Sequence, residues 1–296
     1  MRLATKNSVL GIGLFLPALA FFLVLLAYPL AAAILLSFNN VDTLTLSSRY
    51  VGLANYWDVF ADPEFLSALV NNFIYAVGTL TLQVVIGVAI ALLLHREFYF
   101  RSLARGLILF PYMLSTVVAV LVWRWLFNDL YGFLNFALLG LGVVDKPVDW
   151  LGRMPNAFVS VIFVSTWKFF PFVVIAVLAR LQSIPDYLYE AAIMDGASKW
   201  ALFWDVTLPQ LRSVLSVVIL LRVIWDFKEF DMIYLLTGGG PGHGTETLPL
   251  MLYKLAFPLS QMGKASAIGV FMLVIMLLVI VPYFRFTDVG GEERTR

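Results

Sequence analysis

Residues 65–95 read FLSALVNNFIYAVGTLTLQVVIGVAIALLLH, without a single Asp, Glu, Lys or Arg. A helix needs about 20 mostly apolar residues to cross about 30 Å of hydrocarbon, so this stretch spans a bilayer with residues to spare. Three further runs, Asn7–Val41, Gly106–Trp123 and Ala265–Phe284, are equally free of charge. Met154–Ala179 is interrupted only by Lys168, and Ser213–Leu236 holds five ionisable residues in an otherwise apolar run. Over all 296 residues, 61% are apolar and 13% charged, against about 45–50% and about 25% in soluble domains. A soluble fold has too little interior to hide so much apolar surface. These runs predict an all-α integral membrane fold with six transmembrane helices, at about 10–36, 70–94, 106–127, 157–179, 210–235 and 264–284.

The net charge is +1 and no basic run occurs, so nucleic acid is not an expected partner. There is no cysteine, which excludes disulfides, thiolate zinc sites and cysteine nucleophiles. The first apolar run is more than twice the 7–15 residues of a secretory signal core and reads as a retained span, kinked at Pro17 and Pro29. With residues 1–9 inside, eleven Lys and Arg fall on the cytoplasmic side and four outside. The excess puts both termini, including the 286–296 tail, in the cytoplasm. Asp62-Pro63 marks a turn in the first outer loop.

The inner segment 180–212 reads as structure. Ser183, Pro185 and Asp186 make a helix start, Tyr187–Asp195 is rich in helix formers, and Gly196 suits a left-handed helix end. Ser198 caps a second short helix to about Val206, and Thr207 with Pro209 starts the next element. Taken alone, such a helix–turn–helix could be an interfacial hairpin that only anchors the fifth span.

The residues of this segment match a family. Glu190-Ala191-Ala192, three residues, Gly196, nine residues, Val206, Thr207, Leu208 and Pro209 resembles the EAA-x3-G-x9-I-x-LP signature of binding-protein-dependent ABC importer permeases, with Val206 for the isoleucine. Asp195, Ala197 and Ser198 complete its common DGAS form. Trp167–Phe172 with Pro171, and Phe227–Pro241 ending in Thr237-Gly238-Gly239-Gly240-Pro241, resemble the carbohydrate-uptake branch that includes maltose and glycerol-phosphate permeases. The likeness covers about residues 10–285. It implies a type I ABC importer permease with a first span at 10–36 and a permease core at 70–285. It further implies a bacterial or archaeal inner membrane, a second permease subunit in a heterodimer, two ATP-binding subunits and an extracytoplasmic solute-binding protein. The implied cargo is a sugar, oligosaccharide or polyol. Segment 180–212 becomes a coupling segment whose first helix docks on the ATPase. Its expected coupling residues are Glu190, Ala191, Ala192, Asp195, Gly196, Ala197, Leu208 and Pro209. The small alanines permit close approach, Glu190 caps or pairs with a basic partner, and Gly196 sets the angle between the helices.

No ATP site is expected on this chain. A phosphate loop needs G-x-x-x-x-G-K-[ST]; Gly263-Lys264 is followed by Ala265, and Pro258 stands where the first glycine belongs. ATP and Mg would be used by a partner subunit, and this chain is expected to be neither an enzyme nor a cofactor carrier. His95 and His243 are too far apart in sequence to suggest a metal site, and Arg124, beside Trp123 and Trp125, reads as snorkelling to the outer interface.

Arg222, Asp226, Lys228, Glu229 and Asp231 lie where lipid should be, and each costs about 2.5–3.5 kcal/mol near the bilayer centre. On a continuous helix Arg222, Asp226 and Glu229 share a side, Arg222 and Asp226 are spaced to pair, and Lys228 with Asp231 falls on another. Two readings stay open: self-neutralising pairs that hold the helix, or a helix lining a watery solute path. On the second, the candidate path residues are Trp167, Lys168, Phe170, Arg222, Trp225, Asp226 and Glu229, the aromatic rings being of the kind that stack on sugars. A secondary active transporter using these charges for ion coupling is the alternative, though no paired repeats appear.

Overall fold

Lipid offers the backbone no hydrogen-bond partner, so the apolar runs close their own bonds as helices. In a computed structural model, which describes residues 15–42 and 47–286, the order is α1 (Phe15–Ser37), β1 (Asn39–Asp42), β2 (Ser47–Tyr50), α2 (Ala54–Phe60), α3 (Pro63–His95), α4 (Arg101–Met113), α5 (Thr116–Leu126), α6 (Phe133–Gly140), α7 (Asn156–Leu181) and α8 (Asp186–Met194). It continues with α9 (Lys199–Phe227), α10 (Asp231–Leu236), α11 (Leu248–Ala256) and α12 (Met262–Phe286). Among the described residues α1, α3, α7, α9 and α12 are each long and apolar enough to cross a membrane, and α4 with α5 makes a sixth crossing if counted as one broken span. The expected segment 1–9, the first five residues of the 10–36 span and residues 287–296 of the tail lie outside the described residues.

Three sequence expectations need correction. The third span is not a straight helix over 106–127: it begins at Arg101 and breaks between Met113 and Thr116, with a bend of 97°. Pro111 lies inside the last turn of α4, where it removes a rung of the ladder and crowds the preceding turn. The fifth helix does not reach 235. It ends at Phe227, and α10 starts afresh at Asp231, so Lys228 and Glu229 sit in a break and the helical-wheel placement of Glu229, Lys228 and Asp231 does not apply. Third, no new element starts at Thr207. The helix opened by Ser198 runs through a π-helical stretch, Leu202–Thr207, directly into Leu208–Phe227. The hairpin β1–β2, with Asn39 opposite Tyr50 and Asp42 opposite Ser47, is a small addition to an otherwise helical chain.

The chain forms two compact units, one of residues up to Phe65 with Met251–Val279, the other of Leu66–Leu250 with the residues from Ile280 onward. In the first, Asn55 donates to Ser37 O and Asn39 O, both at 2.9 Å, Ser37 Oγ meets Tyr56 Oη at 2.7 Å, and Phe60, Phe65 and Phe271 form a ring cluster with 5.4 Å centroid spacings. Helix α1 exposes large side chains such as Phe21 and Tyr28, as a lipid-facing helix does. The second unit is built around α7, which buries residues along its whole length. Helix α3 crosses it closely: a Cβ added at Gly87 would lie 2.6 Å from Val173 Cβ, and Tyr75 donates to Ser165 Oγ at 2.9 Å. Without a water-driven hydrophobic effect, such close backbone approach and buried polar contacts are what hold lipid-embedded helices together.

Candidate functional site: a rooted hairpin and a charged cavity

Pro185 in extended conformation precedes α8, and Asp186 stands in its first turn, where the helix dipole favours an acid. Gly196, at φ +83°, ends the helix: its N–H bonds Ile193 O, and Ala197 N–H reaches back to Ala192 O, both at 2.9 Å. These two bonds are the closure made by a left-handed glycine at a helix end. Ser198 Oγ then accepts from Ala201 N–H at 3.3 Å, capping α9. Across the hairpin Tyr189 Oη meets Thr207 Oγ1 at 3.2 Å, and Thr207 Oγ1 also bonds Leu202 O at 3.1 Å.

The hairpin is fastened at its base and open at its tip. Arg180, in the last turn of α7, donates from Nε to Gln210 O and from Nη2 to Gln210 Oε1, each at 2.9 Å. Leu188 and Tyr189 pack on a buried cluster drawn from α3, α7 and α9, including Leu94, Val177, Leu181 and Leu211. At the other end Met194 is 87% and Trp200 75% exposed, with Tyr187 and Ile193 beside them. Of the residues singled out from the sequence, Glu190, Ala191, Asp195, Gly196 and Pro209 are exposed, while Ala192, Ala197 and Leu208 are half-buried. A cleft of about 800 Å³ lies against the inner face of the hairpin, its lining including His95, Arg96, Asp186, Glu190 and Lys199.

The second feature lies where α9 ends. Arg222, 2% exposed, donates from Nε to Gln83 Oε1 at 2.7 Å and bonds the equally buried Asp226. Its guanidinium also stands 4.7 Å from the Phe169 ring centre and 5.6 Å from that of Trp225, within cation–π range. A buried pair survives only when its remaining polar groups are also satisfied, and Gln83 with the two rings does part of that. Helix ends at the break are capped from within: Asn72 Nδ2 donates to Phe227 O at 3.1 Å, and Glu229 Oε1 accepts from Met232 N–H at 3.0 Å. A cavity of about 370 Å³ opens here, lined by Tyr112, Phe169, Arg222, Trp225, the break residues 228–230 and Asp231 at the start of α10.

The structure brings Arg222, Trp225 and Glu229 to this cavity, with Asp226 behind them. Trp167 and Phe170 do not line it: Trp167 packs edge-on against Trp123 at 5.3 Å, and Phe170 packs on the buried cluster at the hairpin base. Lys168 donates its ammonium to Leu114 O at 2.6 Å. Sequence reasoning missed Gln83, Tyr112 and Phe169. A lone glutamine deep in an apolar run was a visible sign of a buried polar partner, but which aromatic of 167–172 faces inward depends on helices remote in sequence. Among the described residues no group of three or more His, Asp or Glu is placed to hold a metal ion.

The profile of the family described as binding-protein-dependent transport system inner membrane component matches residues 83–289, from Gln83 through the hairpin, the cavity and the whole of α12. The chain belongs to this family. It is therefore the multi-pass membrane permease component of a binding-protein-dependent ABC importer, with the type I permease fold. Relatives include a probable ABC transporter permease of Brucella suis, 36% identical with 95% of this chain and 98% of the relative covered. Another is the trehalose/maltose transport system permease protein MalF of Thermococcus litoralis, 34% identical over 96% of this chain and 95% of the relative. Of solved structures, a bacterial ABC transporter involved in import of the acidic polysaccharide alginate aligns with TM-score 0.83 at 23% identity, covering 97% of this chain and all of that one. A bacterial alginate ABC transporter in complex with an alginate-pentasaccharide-bound periplasmic protein aligns with TM-score 0.85 at 22% identity, over 96% and 95%. At these identities the permease shares their fold.

Proposed function

We propose that this permease forms half of an ATP-driven translocation path for a sugar, oligosaccharide or polyol, and that the hairpin at Gly196 couples it to a separate ATPase. The observation that carries the reading is the hairpin itself: an exposed, partly apolar tip on a base locked into α7 and α9. Glu190, Ala191, Ala192, Asp195, Gly196 and Ala197 form the docking end, and Leu208 and Pro209 the junction to the span. A lever of this kind passes a rigid-body movement on to the helices it is rooted in. Because the second arm is the start of α9, which runs unbroken to Phe227, a push on the tip reaches Arg222, Trp225 and the break at 228–230.

The remaining parts follow from the family. A second, similar permease completes the path, two ATP-binding subunits supply ATP and Mg, and an external binding protein delivers the solute. The eleven-to-four excess of Lys and Arg supports a cytoplasmic side for both termini and the hairpin. ATP binding draws the coupling hairpins together and opens the path outward; hydrolysis returns it inward, an exchange between two packings. The carbohydrate class is supported by the Thermococcus relative's name and by a cavity that joins the Tyr112, Phe169 and Trp225 rings to polar groups, the combination that carbohydrate recognition uses.

The test is reconstitution in vesicles with its cognate second permease, ATPase and binding protein. Uptake of a solute bound by that binding protein is expected to require ATP and Glu190-side access from the cytoplasm. Uptake by the permease alone, driven by an ion gradient, would instead establish the secondary transporter.

A further inference from the structure

Lys168 is 3% exposed in the middle of α7, and among the described residues it forms no ion pair with a carboxylate. A buried ammonium in a membrane span is expensive; Glu229 attracts it from beyond contact, and its hydrogen-bonding partner here is backbone. Nζ donates to Leu114 O at 2.6 Å across 54 residues of sequence. Leu114 is the residue that closes α4, with φ −67° and ψ 142°, so it lies in the break that turns the third span through 97°. With ψ 142° the carbonyl of Leu114 is turned out of the helix and takes no part in its ladder. In lipid such a group cannot turn to water. An ammonium answers that need. The same ammonium stands 5.3 Å from the Phe169 ring centre. Two residues before Leu114, Tyr112 lines the cavity opposite Trp225 and packs at 6.3 Å on Phe172, which in turn packs at 5.1 Å on Trp225.

We propose that Lys168 is a positioning residue of the solute path. Its buried ammonium pins the free carbonyl of Leu114, holds the third span in its broken form and so keeps Tyr112 and Phe169 in the cavity wall. The inference rests on the reading of this cavity as part of the path, and its main readout needs no solute.

The chain has no cysteine, so spin labels at Leu107→Cys on α4 and Leu121→Cys on α5, both outward-facing, report the bend in the assembled, cysteine-free transporter. The wild-type protein is expected to show one narrow distance. K168M is expected to lower the bent form relative to all others by about tenfold, equivalent to about 1.4 kcal/mol, and K168R, which keeps a charged donor, to restore it. The half-saturation concentration for uptake rises with the broadening in K168M and returns in K168R. An unchanged narrow distance in K168M overturns the pin, and a broadened distance with unchanged half-saturation overturns its link to the cavity wall. If K168M does not insert, K168Q must broaden more than K168R; equal distributions in the two refute the proposal. Failure of sugar uptake in every variant, wild type included, would sink the carbohydrate reading and leave the distances to decide the pin.

Discussion

Replacing Gly196 by valine isolates the hairpin turn from everything around it. At φ +83° the backbone lies in the left-handed region, while a Cβ built there meets nothing within 4 Å. The whole penalty is therefore conformational, with no clash to relieve. A non-glycine residue held in such a region costs about 1–3 kcal/mol, and a β-branched one sits at the upper end. Keeping the turn would require that cost to be met; releasing it loses the bonds from Gly196 N–H and Ala197 N–H to Ile193 and Ala192. A change of 1–3 kcal/mol in the hairpin's competent form is a factor of about 5–150 in its population. ATP-driven uptake by the reconstituted complex should fall by that factor. Membrane insertion and yield should not change, since the position is exposed. Asparagine tolerates the left-handed region better than alanine or valine, so uptake should rank wild type, Asn, Ala, Val. Normal uptake in Gly196→Val would refute the role of the turn. A Gly196→Asn protein as defective as Gly196→Val would show that the small size of glycine at a partner surface matters and its backbone freedom does not.

Other substitutions probe the supports of the site. Arg222→Met should strand Asp226 as a buried charge and destabilise by about 3–5 kcal/mol, whereas Arg222→Met with Asp226→Asn should recover much of that in thermal melts of detergent-purified protein. Gly87→Leu should force α3 and α7 apart at Val173 and lower stability by about 1–3 kcal/mol. Gly106→Ala, inside α4 with nothing within 4 Å of its added Cβ, should raise stability by about 0.5–1 kcal/mol. Tyr189→Phe removes one bond across the hairpin, worth about 0.5–1.5 kcal/mol; it should lower the solute transported per ATP hydrolysed while the ATPase still copurifies.

The twenty-residue pattern around Gly196 was readable because every constraint in it is local: a helix start, small residues, a left-handed stop and a cap lie within reach of one another along the chain. The π-helical join at 202–207 was not, since Thr207 and Pro209 look like a fresh start until the bond from Tyr189 holds the two arms together. In the charged run, the four-residue spacing of Arg222 and Asp226 announced their pairing. The end of the helix at Phe227 did not show, for it is set by Asn72 on α3 and by the Glu229 side chain closing α10. Pro111 was the one local sign of the broken third span, hidden in a run long and apolar enough to pass as straight.

Sequence by itself determined that this chain lives in lipid, that it crosses as helices and that segment 180–212 folds as a helix–turn–helix, because hydrophobic run length and short-range turn chemistry are written residue by residue. Tertiary structure alone decided which aromatics wall the cavity, where the third and fifth spans break and what Lys168 holds. Those outcomes turn on bonds such as Lys168 to Leu114 and Arg222 to Gln83, which join residues 54 and 139 positions apart, and a buried polar group takes whichever partner the packed helices bring to it.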